Sequence, residues 1–332
     1  MSSADHPAKR PRLADDDSNI PTPAISRSQE FWFNDGSVIL QVENTQFRVA
    51  QSLLAMHSSV FRDMFTIPLP PEEPLVEGCP VVVLSGDKAV DWSHLLRAVY
   101  PSRCDFFSPD KKDIHAFAAV FRLSKKYDFT VFRRECLQCF KAEFPTTLEE
   151  YDDSPNKHQW KWTLSTSDLL SILCINLARE LGIFSVLPVA FYQLNWSSVL
   201  DWDIVEVSQT ARLSPTDERL FLRSQLRLLR LQSSTTMKWL SPQESTIPQE
   251  LCEQRDICIH ALENIAKQRR EDLEMEAFVL DDWNTSWGEK LCSLCKMTAK
   301  STFAEGRRQI FRQLPSIYEL PDWEVLKKMD FE

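Results

Sequence analysis

Apolar and polar residues change rhythm along the chain. Residues 1 to about 30 are polar, carry Pro7, Pro11, Pro21 and Pro23, and show no apolar period, the composition of a disordered tail. Order is expected from Phe31 onward. Val38–Val42 reads as a β-branched strand, Glu43–Asn44–Thr45 as a turn and Phe47–Val49 as the returning strand. Helical spacing follows at Ser52–Met56 and Ser58–Phe65. In the second of these Ser58 can cap, and Val60, Phe61, Met64 and Phe65 form one face. Five prolines from Pro68 to Pro80 make a rigid loop ahead of Val81–Leu84, which reads as a buried strand. Trp92, Leu95, Leu96, Val99 and Tyr100 then line a helix, and two more helices are predicted over 113–127 and 130–143.

Beyond a polar stretch at 145–166, expected to be a linker, the pattern is helical. Ser165 and Asp168 stand at capping-box spacing, Leu169, Leu173, Leu177 and Leu181 recur every four residues, and Gly182 is placed to stop the helix. Pro188 suits a first turn. Ser214-Pro215-Thr216-Asp217 is a second helix start, with a capping serine, proline at the first position and an acid at the third. Long helical patterns fit 256–279 and 297–314. Nothing repeats at a fixed period, which argues against propellers and solenoids.

Composition narrows the function. Among 332 residues, 38 are basic and 48 acidic, a net charge of -10 that opposes binding to nucleic acid or an anionic membrane. Only 6 residues are glycine, and Gly78 and Gly86 are too far apart for a phosphate-cradling loop. No G-x-S-x-G, H-E-x-x-H or kinase motif occurs, and no nucleophile motif frames a histidine, so no catalytic or cofactor-binding residues are assigned. The most apolar stretch, Leu169–Leu194, is interrupted by Arg179 and Glu180 and is unsuited to spanning a membrane. The reading is of a soluble intracellular protein, whose nine cysteines sit in a reducing compartment. In the tail, Lys9, Arg10 and Arg12 within Pro7–Leu13 form a short cationic cluster of the nuclear-import kind, leaving nucleus and cytoplasm both open.

The run Phe47-Arg48-Val49 through Leu53-Leu54-Ala55 to Ser58-Ser59-Val60-Phe61-Arg62-Asp63-Met64-Phe65 resembles the central signature of the BTB/POZ family. Phe121–Tyr127 and Cys136-Leu137 resemble its closing helices. Leu187–Tyr192 and the segment from Trp287 through Leu314-Pro315 to Trp323 are similar to the group of BTB proteins found in fungi. The resemblance implies an α+β fold: a BTB domain over 31–144, with a small sheet and a helical cluster, then an all-helical domain over 167–332. It also implies a non-catalytic adaptor that binds protein partners, with a homodimer, a cullin-type ubiquitin ligase or a transcriptional role as family options. Two departures bear on the homodimer. Where the family has a strand-opening Asp and a basic residue that meet near the dimer interface, this chain has Ser37 and the neutral pair Ala50-Gln51. For cullin, the family's hydrophobic-x-Glu element is approximated by Leu69-Pro70-Pro71-Glu72.

Two features could carry chemistry of their own. Cys252, Cys258, Cys292 and Cys295 could together supply the four thiolates of a structural zinc site. On one continuous helix Cys252 and Cys258 would diverge by about 120°, so the site requires a helix starting after Cys252, for instance at Asp256. Otherwise the four are unpaired buried thiols. The second pair, Cys136 and Cys139, falls inside a helix and is read as packing. Arg219, Arg223, Arg227 and Arg230 form a basic stripe, read against the acidic net charge as a solvated face opposite Leu222, Leu226 and Leu229.

Overall fold

The computed structural model describes residues 24–68, 75–100, 113–153, 170–194, 212–241, 245–271 and 279–330. The import cluster, the Leu69–Glu72 element and the Ser165–Asp168 capping box lie outside the described residues. The chain divides into two compact units, residues 1–51 with 69–89, and residues 52–68 with 90–332.

The first unit is built on a four-stranded mixed sheet: β1 (Ser26–Trp32), β2 (Val38–Val42), β3 (Thr45–Val49) and β4 (Val81–Val83), in the order β1-β3-β2-β4. β2 and β3 form the expected antiparallel hairpin, turning at Glu43 and Asn44 with Glu43 at positive φ. β1 and β4 add in parallel on the two sides. β2 is buried at Val38, Ile39 and Leu40 in succession, as a central strand covered on both faces is. Two expectations change here. Ordered chain begins before residue 31, because β1 starts at Ser26 and is held by backbone pairing to β3 despite its polar side chains. The run Val81–Leu84 is not a fully buried strand: β4 is an edge strand, with Val83 63% exposed and Leu84 buried just past its end.

The helices among the described residues are α1 (Gln51–His57), α2 (Ser59–Met64), α3 (Ala89–Val99), α4 (Ile114–Lys126), α5 (Thr130–Glu143), α6 (Leu148–Asp152), α7 (Leu170–Leu181), α8 (Leu187–Leu194), α9 (Pro215–Ser234), α10 (Arg255–Glu271), α11 (Ser293–Ile317) and α12 (Trp323–Met329). Several start and stop where their caps were expected. Ser58 accepts a hydrogen bond from the Phe61 N–H at 3.1 Å, Ser214 accepts one from Asp217 at 3.1 Å with Pro215 behind it, and Gly182 ends α7 at positive φ. α6 lies inside the expected linker, where Thr147 caps it and Tyr151 is buried.

Phe61 is fully buried, its ring 5.2 Å from Tyr127, 5.7 Å from Trp92 and 6.1 Å from Phe129, edges mostly meeting faces. Of the other signature residues, Leu54 is buried while Leu53, Met64 and Phe65 are half-buried. Past α6 the packing centres on α11. Its Gly306 meets the backbone of Thr235 and Thr236, at the end of α9, so closely that a Cβ would lie 2.7 Å from Thr235 C. Its Arg307 grips both carboxylate oxygens of Asp152 (2.6 and 3.1 Å) and donates twice to the Leu280 carbonyl. Phe191 stacks on Tyr318, and Phe311 on Trp323. Near the end of the described chain, the buried Asp330 carboxylate accepts from the backbone and hydroxyl of Ser185 and from Lys141.

The seam of α9 is also corrected. Leu220, Phe221, Ser224, Leu228 and Gln232 face inward, so Leu222 (44% exposed) and Leu226 (61%) share the solvent side with the arginines. Ser224 can be buried because its hydroxyl donates to the Phe221 carbonyl one turn back. Arg227 leaves the stripe to bind the Ile317 carbonyl and Glu319.

Two substitutions test this packing. Phe61→Ala should cost about 3–5 kcal/mol in urea unfolding, since it removes a ring with no room to collapse. Gly306→Ala, stabilising in an ordinary helix, should here cost about 3 kcal/mol, because the neighbour that must give way is backbone.

Candidate metal centre

Three segments bring four cysteines together. Cys252 sits in a turn whose N–H is tied to the Gln249 carbonyl, and α10 begins at Arg255, after Cys252, as the site requires. That break frees Cys252 from helical geometry and lets Cys258, in the first turn of α10, point to the same place. Cys292 is the N-cap of α11, and Cys295 lies one turn in. The four sulfurs all fall within 4.8 Å of one another, and Cys252 and Cys292 are 3.7 Å apart. A disulfide would need about 2.05 Å; all four thiols are free.

Backbone donors surround the cluster. The Cys292 N–H points at the Cys258 sulfur and the Cys295 N–H at the Cys292 sulfur, each at 3.4 Å, while the Gln249 backbone serves Cys295. These donors and burial pull the thiols in opposite directions. The Cys295 N–H, which has no partner within α11 and donates to the Cys292 sulfur instead, lowers Cys292 to about 7. Burial pushes Cys295 up to about 12 and also raises Cys258. Cys258 and Cys295 are buried, Cys252 and Cys292 half-buried. Chemically the cluster offers four soft donors at the size of a tetrahedral thiolate cage, in which ligands about 2.3 Å from a metal stand about 3.8 Å apart.

The surroundings are aromatic in a way the sequence reading did not anticipate. Trp239, on a 3₁₀ turn at Lys238–Leu240, packs against Trp283 and Trp287, with ring centres 5.3 and 6.0 Å away, and Phe303 closes the group. Trp239, Ile247, Ala261, Ile265, Leu291 and Ala299 form one core with Cys258 and Cys295. The tryptophan spacing, two within five residues near Cys292 and a third far upstream, was the only available signal. The other pair lies apart on α5, with Cys136 buried and Cys139 half-buried. His57, His94 and His115 lie on α1, α3 and α4; burial lowers the first two.

Within the first unit, Ser37 and Gln51 are in contact. The Ser37 hydroxyl accepts the backbone N–H of Gln51 at 2.9 Å, and neither side chain carries a charge. Among the described residues no helix is long and apolar enough to cross a membrane. A family model described as the BTB/POZ domain matches residues 30–143. No curated protein and no solved structure matches the chain. The chain therefore carries a BTB/POZ domain, a protein-interaction domain with a small mixed sheet and helices, followed by a helical C-terminal region.

In metal-stripped, reduced protein, iodoacetamide should modify Cys292 ahead of the other three cysteines. Its rate should rise through about pH 7, since the thiolate reacts and the Cys295 N–H stabilises it. Peptide mapping across pH 5.5–9 reads this; labelling of Cys258 first would contradict it.

Proposed function

We propose that the protein is a non-catalytic, intracellular adaptor whose BTB domain recruits a protein partner and whose helical region carries a second function in binding. The observation that carries this reading is the BTB/POZ domain at residues 30–143. Apolar side chains on the surface of that domain support it: Met56 on α1 is 73% exposed and Val60 on α2 41%, side chains of the kind that anchor protein interfaces. The neutral side chains at Ser37, Ala50 and Gln51 favour a partner other than a second copy, because the charge pair that would meet near a dimer interface is missing. We also infer that the chain is of the fungal BTB type, on the similarity of Leu187–Tyr192 and Trp287–Trp323. A cullin ligase is the finer reading if Leu69–Glu72 serves as the hydrophobic-x-Glu element. A nuclear regulator is the finer reading if Lys9, Arg10 and Arg12 direct import.

The test is affinity purification of the full chain beside Met56→Asp and Val60→Asp variants, with folding checked by circular dichroism. A partner retained by the parent and lost at least about tenfold by either folded variant is expected, since burying one unpaired carboxylate costs more than 1.4 kcal/mol. Cullin among the retained proteins selects the ligase reading. Equal retention by all three proteins rules this surface out.

A further inference from the structure

We propose that Cys252, Cys258, Cys292 and Cys295 hold one zinc ion, and that this ion stands in for helix packing in fastening α10 to the start of α11. The inference is independent of what the BTB domain binds.

Size and donor chemistry come first. Four thiols within 4.8 Å of one another, Cys252 and Cys292 3.7 Å apart and none oxidised, match the edge of about 3.8 Å expected of a zinc tetrathiolate. Zinc imposes no geometry beyond four tetrahedral ligands, which these segments already supply.

Electrostatics points the same way. Four thiolates around a dication leave two excess negative charges, and such a site persists where backbone donors and helix N-termini face it. Both conditions hold. Cys258 lies in the first turn of α10, Cys292 and Cys295 at the cap and first turn of α11, and three backbone N–H groups point at three of the sulfurs.

Packing alone does not account for the convergence. Buried cysteines are ordinarily small hydrophobes filling a core, yet Cys252 and Cys292 only border this one, half-buried at its edge with their sulfurs turned to those of Cys258 and Cys295. Meanwhile α10 is poorly anchored. Over its described side chains it buries only Cys258, Ala261 and Ile265, while Ile257 (58%) and Ile259 (36%) face solvent. With the half-buried Leu262 beside them, the three buried side chains make a narrow seam for a helix of 17 residues. Metal binding would add its free energy directly to the docking of that helix, joining segments separated by the stretch from Cys258 to Cys292.

The test uses the full chain purified under reducing conditions. Elemental analysis should find about one zinc per chain, and cobalt exchanged into the site should show the intense thiolate-to-metal and tetrahedral bands of a CoS4 centre. Cys252→Ser/Cys292→Ser should lower the zinc content about tenfold or more, while Cys136→Ser/Cys139→Ser leaves it unchanged. Chelation should speed amide exchange along α10 and leave α4 and α5 as they were. The cobalt spectrum, taken on the unmutated protein, keeps the proposal testable should the double variant fail to fold. Metal-free protein, iron in place of zinc, a Cys252–Cys292 disulfide, or zinc lost equally from both double variants would overturn it.

Discussion

The helical region hangs on a place where one backbone must lie against another. Glycine inside an α-helix costs about 1 kcal/mol relative to alanine, yet Gly306 sits in the middle of α11 because the chain leaving α9 passes through the space a Cβ would fill. That passage sets the 3₁₀ turn that follows Thr236, and so the position of Trp239, on which Trp283, Trp287 and the cysteine cluster are assembled. The next residue, Arg307, reaches Asp152 and the Leu280 carbonyl. Two adjacent residues of α11 thus locate α6, the end of α9 and the chain at 280.

The two halves of the chain cohere differently. Around Phe61 the contacts are ring on ring, satisfied by shape alone. Around α11 many of the deciding contacts are polar and shielded: a guanidinium on a carboxylate and a carbonyl, Asp330 on Ser185 and Lys141, and backbone amides on sulfur. Such groups are costly to leave unpaired, so they fix position more narrowly than apolar packing does.

That difference decided what could be read from the sequence. Hairpin, capped helices and the Phe61 core were legible because each is encoded over a few neighbouring residues: the alternation of Val38–Val42, the Ser-Pro-x-Asp of α9, the glycine after α7. β1 was missed because its hold on the sheet is backbone pairing to β3, which a polar sequence does not announce. The phase of α9 was misjudged because Ser224 and Gln232, satisfied or sheltered locally, displaced Leu222 and Leu226 from the buried side. The cysteines were legible as a spacing. Their meeting point depends on Gly306 and Trp239, whose roles no short window contains.

The buried clasp at Asp330 has a kinetic side. It joins residues 145 positions apart, and the Arg307–Asp152 pair joins residues 155 apart. Helical proteins fold fast when their contacts are local, because little chain must be looped before an interaction is gained. Here the charged partners of α6 and α5 come from α11 and the end of α12, so each pair forms only when the whole intervening stretch of helices is looped back. At these two clasps a region made of helices meets the loop-closure cost more usual in the pairing of distant strands.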